Sequence, residues 1–134
     1  MQIPERIPGF RWLFVLMGVY TAVWISFEGH LTRALIMGVG WTAVLLMWGW
    51  QRRWGGQTFS RWQWWGRTAV TGLLLGLGSG LLTLAFMIIK TGLHAHGPEF
   101  TAVQINWVIR QTPIWTAAGF LAGLGLGLVT MDEG

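Results

Sequence analysis

The sequence GLLLGLGSG at residues 72–80 and the sequence GFLAGLGLG at residues 119–127 share one glycine pattern, G-x-x-x-G-x-G-x-G. Both stretches lie within long uncharged segments. A glycine inside a helix in water costs about 1 kcal/mol, whereas in lipid the backbone stays hydrogen-bonded and small residues let two helices approach closely. The repeated pattern therefore predicts two membrane helices that pack against each other as a glycine zipper.

Length and composition agree with a small integral membrane protein. Of the 134 residues, 53% are hydrophobic and only 10% are charged. We therefore expect a single domain, residues 1–134, that is all-α and forms a bundle of four transmembrane helices. Each predicted span is close to the ~20 residues that a bilayer requires. The spans cover about residues 10–28, 33–53, 67–90 and 112–131.

Short interfacial helices are predicted in the loops after spans 2 and 3. The first is expected to begin near Thr58 or Ser60, whose hydroxyl groups can cap a helix. The second covers about residues 98–110, and both a flat orientation at the interface and a re-entrant one fit it. Span 4 is then expected to start with Thr112 as its cap and Pro113 at its first helical position.

Lysine and arginine are distributed unevenly between the two predicted sides. Six lie at the N-terminal end of span 1 or around the connection between spans 2 and 3, and three lie on the other side: Arg33, Lys90 and Arg110. The positive-inside rule then predicts an inner (plasma) membrane protein with both termini in the cytoplasm. In that orientation spans 3 and 4 are antiparallel, and their depths pair Gly72 with Gly127, Gly76 with Gly123, and Gly80 with Gly119.

Six glycines of the repeated pattern are predicted to form the contact between spans 3 and 4. Their missing side chains also leave room for a ligand, so a seat for bound lipid or a flat pigment is the alternative interpretation. The sequence requires no cofactor. The predicted helix-packing residues are Gly72, Gly76, Gly80, Gly119, Gly123 and Gly127.

The segment from Trp48 to Arg67 holds six of the eleven tryptophans. Tryptophan rings prefer the headgroup level and arginine binds phosphate, so we expect this segment to contact anionic lipids. Docking of a partner protein is the alternative, because tryptophan and arginine are also favoured at interface hot spots. Nucleic acid is not an expected partner, since positive-inside anchoring accounts for the basic charge. The predicted lipid-interface residues are Arg52, Arg53, Trp54, Arg61, Trp62, Trp64, Trp65 and Arg67.

The three histidines all lie on the predicted outer side. We interpret them first as solvated polar groups at the membrane surface. The alternative is a zinc or copper site formed by His30, His94 and His96, with Glu28 and Glu99 nearby, because imidazole and carboxylate groups are normal ligands of these metals.

No constellation of nucleophile, base and acid is recognisable along the chain, and cysteine is absent. We therefore expect a protein that is not an enzyme. The sequence favours a small accessory or structural subunit that binds other membrane-protein subunits of a larger complex. Two alternatives remain, a small homo-oligomeric transporter or channel and an outer-face metal-binding membrane protein.

Overall fold

The computed structural model describes residues 2–27, 30–93 and 99–132, and this part of the chain is all-helical, with no β-strand. Helix α1 is Phe10–Ser26, α2 is Leu31–Trp54, α3 is Arg61–Leu93 and α4 is Ala102–Asp132. Helices α2, α3 and α4 are long and apolar enough to cross a membrane. With 17 residues, α1 is about 26 Å long, and its role as a fourth span stays a prediction.

Helix α3 is longer than the predicted third span, because its first turn is capped well before residue 67. The Ser60 amide donates to Gln63 Oε1 at 3.2 Å, and the Gln63 amide donates to Ser60 Oγ at 3.4 Å. This reciprocal pair is a capping box that starts a helix at Arg61. Among the described residues, the segment predicted as a separate interfacial helix is therefore the beginning of α3.

Helix α4 also starts earlier than predicted. Thr101 and Gln104 form a second capping box, with hydrogen bonds of 3.0 and 3.2 Å. The predicted helix over about 98–110 is consequently continuous with span 4 from Ala102 onward, and the predicted start at Thr112 is wrong.

Pro113 lies inside α4 rather than at its first position. Its ring removes one backbone N–H from the helix, which usually kinks or ends it. Hydroxyl groups beside it supply other bonds: Thr112 Oγ1 donates to the Val108 carbonyl at 2.8 Å, and Thr116 Oγ1 donates to the Thr112 carbonyl at 2.7 Å. Neither of these two bonds goes to the Ile109 carbonyl, which is the group that loses its helical partner at Pro113.

Two clusters of buried side chains form the core. One joins α1 and α2 and contains Met17, Trp24, Met37 and Val44. The other joins α2, α3 and α4 and contains Ala34, Met87, Phe100 and Val108. The most extensive contact between helices is that of α3 with α4, followed by that of α2 with α3.

Candidate functional site

The beginning of the chain is fastened to the connection between α2 and α3. The Ile3 amide donates to the Gln57 carbonyl at 3.1 Å, and the Gly56 amide donates to the Ile3 carbonyl at 2.8 Å. Gly56 has a φ of 78°, in the left-handed region that favours glycine. Together with the bounds of α1, α2 and α3, these bonds place six arginines at one end of the bundle, here called the basic end: Arg6, Arg11, Arg52, Arg53, Arg61 and Arg67.

Tryptophans at the basic end are fixed by hydrogen bonds between helices. Trp50 Nε1 donates to Thr71 Oγ1 at 2.8 Å and so joins α2 to α3. Trp64 Nε1 donates to Thr130 Oγ1 at 2.8 Å, which joins α3 to α4. The two indole rings contact each other edge to face at 5.8 Å. Trp50 and Trp64, which both lie in the predicted interfacial segment from Trp48 to Arg67, therefore also hold the helices of the bundle together.

The predicted lipid-interface residues fall into two groups. Arg52, Arg53, Arg61 and Trp62 are exposed, and Trp62 keeps 76% of its surface. Trp54, Trp64, Trp65 and Arg67 are partly buried. The guanidinium of Arg67 lies 4.4 Å from the Trp54 ring centroid and 3.8 Å from that of Phe59, so it packs between aromatic rings.

An open apolar cleft lies at the basic end between α2, α3 and α4. It has a volume of about 380 Å³ and is lined almost entirely by apolar atoms. Gly72, Gly119 and Gly123 form part of its wall, where the two helix backbones come close together. From Trp64 to Leu75, two of its lining residues on α3, it extends about 16 Å along the helix. We call it the glycine cleft.

A second cavity of about 370 Å³ adjoins the glycine cleft, and Ile7 lines both. Its other walls come from the N-terminal segment, the first turn of α1 and Gln51. Arg6 and Arg11 give it two cationic groups, and Gln51 Oε1 accepts a hydrogen bond of 3.0 Å from the Ile7 amide. We call it the arginine pocket. Sequence reasoning missed it because the pocket forms where residues 6–12 meet Gln51, which is about forty positions away along the chain.

The six predicted helix-packing glycines lie along the contact between α3 and α4. A Cβ atom on Gly72 would overlap the carbonyl oxygen of Gly119, and one on Gly123 would overlap that of Thr68. Gly76 meets the backbone of Trp115 and Thr116 rather than Gly123. The remaining contacts are those of Gly80 with Thr112, Gly119 with Gly72, and Gly127 with Thr68 and Trp65.

The observed register therefore differs from the predicted depth pairing by seven or eight residues, about two helical turns. The physical reason is the early start of α4. Because α4 begins at Ala102, its first turns also pack along the end of α3, where Val108 joins Met87 in one cluster. A shift of two turns keeps the same faces in contact, so the glycines still meet the opposite helix.

Lys90 is fully buried near the end of α3 opposite the basic end, which the sequence analysis did not anticipate. Its ammonium group donates to the backbone carbonyl of Trp24 and lies 4.6 Å from the centroid of the Trp24 ring. Trp24 is in the last turn of α1, where no basic residue of α1 itself is present. Lys90 thus supplies from α3 the cation that favours a helix C-terminus. The sequence contains one signal for this contact, a lysine at the end of a long uncharged segment.

The predicted metal site falls largely outside the described residues, which leave out Glu28, His94 and His96. His30 is exposed at the start of α2. Within residues 2–27, 30–93 and 99–132, no group of three or more histidine, aspartate or glutamate side chains is close enough to hold a metal ion. The hypothesis that His30, His94 and His96 bind a metal stays a prediction.

Comparison of the chain with protein-family models, with curated proteins and with solved structures finds no match.

Proposed function

We propose that this protein is a non-catalytic accessory or structural subunit of a larger membrane complex, and that its glycine cleft seats a lipid acyl chain. The observation that carries the proposal is the bonding of the buried hydroxyl groups. Thr42, Thr83 and Ser79 each donate to a backbone carbonyl of their own helix, at 2.7, 2.6 and 2.5 Å. Each of these hydroxyl groups therefore has its hydrogen-bond acceptor within its own helix.

This bonding pattern weighs against the transporter or channel alternative. A substrate or ion pathway normally needs polar or charged groups that face a cavity within the spans. The glycine cleft is apolar, and Thr68, which lines it, donates its hydroxyl to the Trp65 carbonyl at 2.9 Å. An apolar cleft open to the side of a helical bundle suits an acyl chain, which gains by burying hydrocarbon without losing hydrogen bonds.

Four further parts of the proposal concern the membrane. The protein is proposed to lie in the cell inner membrane, with α1 as a fourth span. Both termini are proposed to lie in the cytoplasm. Its lipid-facing surface is proposed to bind other membrane-protein subunits. The basic end supports the orientation, because it gathers six arginines while Arg33, Lys90 and Arg110 lie elsewhere.

Affinity purification from gently solubilised membranes tests the proposed role. We expect the protein to copurify with other membrane subunits at fixed stoichiometry and to carry lipid that survives size-exclusion chromatography. A pure homo-oligomer with substrate-dependent flux in liposomes would contradict the subunit role and support the transporter alternative. Conjugated pigments absorb above about 350 nm, where protein generally does not. Such an absorption band in the purified sample would indicate that the ligand is a pigment rather than a lipid.

Orientation is tested with single cysteines, which is convenient because the chain has none of its own. A cysteine in place of Gln57, an exposed residue of the connection at the basic end, should resist membrane-impermeant thiol reagents in intact cells. One in place of Ala95, between α3 and α4, should react. The reverse labelling pattern would contradict the proposed topology.

A further inference from the structure

The arginine pocket and the glycine cleft lie on either side of one residue that lines both cavities, Ile7. They share Ile7, so a molecule that fills both must be polar and anionic at one end and apolar along the rest. We propose that the pair binds one anionic phospholipid, with its phosphate in the arginine pocket and an acyl chain in the glycine cleft. This inference rests on the proposed lipid-seating function and names the class of lipid.

Charge complementarity carries the choice of an anionic headgroup. Arg6 and Arg11 both line the arginine pocket, and their guanidinium groups can each donate two parallel hydrogen bonds to a phosphate. Glu5, the acidic residue beside them in sequence, packs against Gly55 and Gly56 and does not line the pocket. The first turn of α1 contains no acidic residue either.

The surroundings of the pocket favour a lipid over free phosphate. Trp12, which lines the pocket, keeps 80% of its surface exposed, as expected of a ring at the headgroup level of a bilayer. The neighbouring glycine cleft, of about 380 Å³, would also stay empty if free phosphate were the ligand. Burying a hydrocarbon chain there adds affinity that an inorganic anion lacks.

Binding is measured on the full-length protein by native mass spectrometry. The probes are phosphatidylglycerol and phosphatidylcholine with identical acyl chains, and inorganic phosphate is the soluble competitor. We expect one tightly held phosphatidylglycerol per chain and weaker retention of phosphatidylcholine. Millimolar phosphate should not displace the lipid, and displacement by it would overturn the assignment of the site to a lipid.

Two sets of variants test separately how the protein binds the lipid headgroup and how it binds the acyl chain. Arg6→Gln combined with Arg11→Gln should weaken phosphatidylglycerol binding about tenfold or more and weaken phosphatidylcholine binding less, because choline offsets the charge of its phosphate. The matched control is Arg53→Gln combined with Arg61→Gln, which removes the same charge from exposed positions at the same end. Ala122→Phe, which places a ring in the glycine cleft, should weaken both lipids.

The outcomes distinguish the inference from the function on which it rests. If Ala122→Phe weakens both lipids but the Arg6 and Arg11 variant binds phosphatidylglycerol normally, the cleft seats a chain and the anionic headgroup site is wrong. Equal loss in the Arg53 and Arg61 control would also overturn it, because general charge would then explain binding. Normal binding by Ala122→Phe would overturn the proposed lipid seat itself. Arg6→Lys with Arg11→Lys keeps the charge but not the paired hydrogen bonds, so it should bind more strongly than the glutamine variant and more weakly than the wild type.

Discussion

Helices α3 and α4 meet backbone to backbone, whereas helices α1 and α2 meet through side chains. A Cβ atom on Gly72 or Gly123 would overlap a carbonyl oxygen of the facing helix. Gly40 of α2 instead faces the end of the Met17 side chain of α1, and Trp41 Nε1 donates to Thr21 Oγ1 across the same contact at 2.9 Å.

The difference lies in what must move when a contact is disturbed. A carbonyl oxygen moves only if its helix moves, because its position is fixed by the backbone hydrogen bonds of that helix. A methionine side chain has three rotatable bonds and fills irregular gaps. We therefore regard α3 and α4 as a fixed frame and α1 as an adjustable neighbour, and the following predictions test that comparison.

Gly76→Leu should have the largest effect, because its side chain would enter the backbone of Trp115 and Thr116. We expect the free energy of unfolding to fall by about 3 kcal/mol, as severe overpacking does. Equilibrium unfolding in mixed micelles measures it. Gly125→Leu is the matched control, since nothing lies within 4 Å of the added Cβ there. Equal losses in the two variants would break the comparison.

Lys90→Met should have an intermediate effect. The change keeps most of the side-chain volume but removes the donor to the Trp24 carbonyl, so we expect a loss of about 1–2 kcal/mol. Hydrogen exchange should accelerate in the last turn of α1, where the Phe27 amide donates to the same carbonyl at 3.4 Å.

Thr91→Val is the control for Lys90→Met, because Thr91 Oγ1 donates to the Met87 carbonyl within α3. Its exchange pattern in α1 should match that of the wild type. Unchanged exchange in the Lys90→Met protein would mean that α1 is held by its contact with α2 alone.

Trp41→Phe tests the side-chain contact of α1 with α2 directly. It removes the hydrogen bond to Thr21 but keeps an aromatic ring near Phe14, whose centroid lies 6.0 Å away. Hydrogen bonds between membrane helices average about 0.6 kcal/mol, and we expect a loss of that size. Thr21→Ser keeps the acceptor and should retain wild-type stability. A loss above that of Gly76→Leu would reverse the ranking of the two contacts.

Gly40→Ala should have the smallest effect, below about 0.5 kcal/mol, because the Met17 side chain can change rotamer. Gly38→Ala, two residues away on α2, sharpens the comparison. Its Cβ would lie 2.7 Å from the Ser79 carbonyl oxygen and 2.8 Å from the Thr83 amide nitrogen, both backbone atoms of α3. Gly38→Ala should therefore cost several times more than Gly40→Ala, and similar stabilities would contradict the distinction.

Helical periodicity predicted which faces meet but not their register. Gly72, Gly76 and Gly80 recur every four residues, which puts them on one side of α3. A shift of seven residues is close to two full turns, so it returns nearly the same face of α4 to the contact. The register depended on where α4 begins, and the Thr101 and Gln104 capping box decided that more strongly than Pro113 did.

The candidate site was predicted only in part. Its glycine wall and interfacial tryptophans have local signals that composition and spacing reveal. The arginine pocket has none, because it forms only when Ile3 bonds to Gln57 and Ile7 bonds to Gln51. Contacts between residues more than forty positions apart depend on the tertiary fold, and no local pattern encodes them.

Helices α3 and α4 are longer than the hydrocarbon layer of a bilayer is thick. At 33 and 31 residues they are about 50 and 46 Å long, against a hydrocarbon thickness of ~30 Å. Arg110 is exposed on α4 about 12 Å from its first residue, and an exposed arginine favours the polar boundary. We therefore expect part of the excess length of α4 at that end, with its first two turns among the headgroups. If α1 is a fourth span, its length of about 26 Å requires a thinner bilayer on its own side of the bundle.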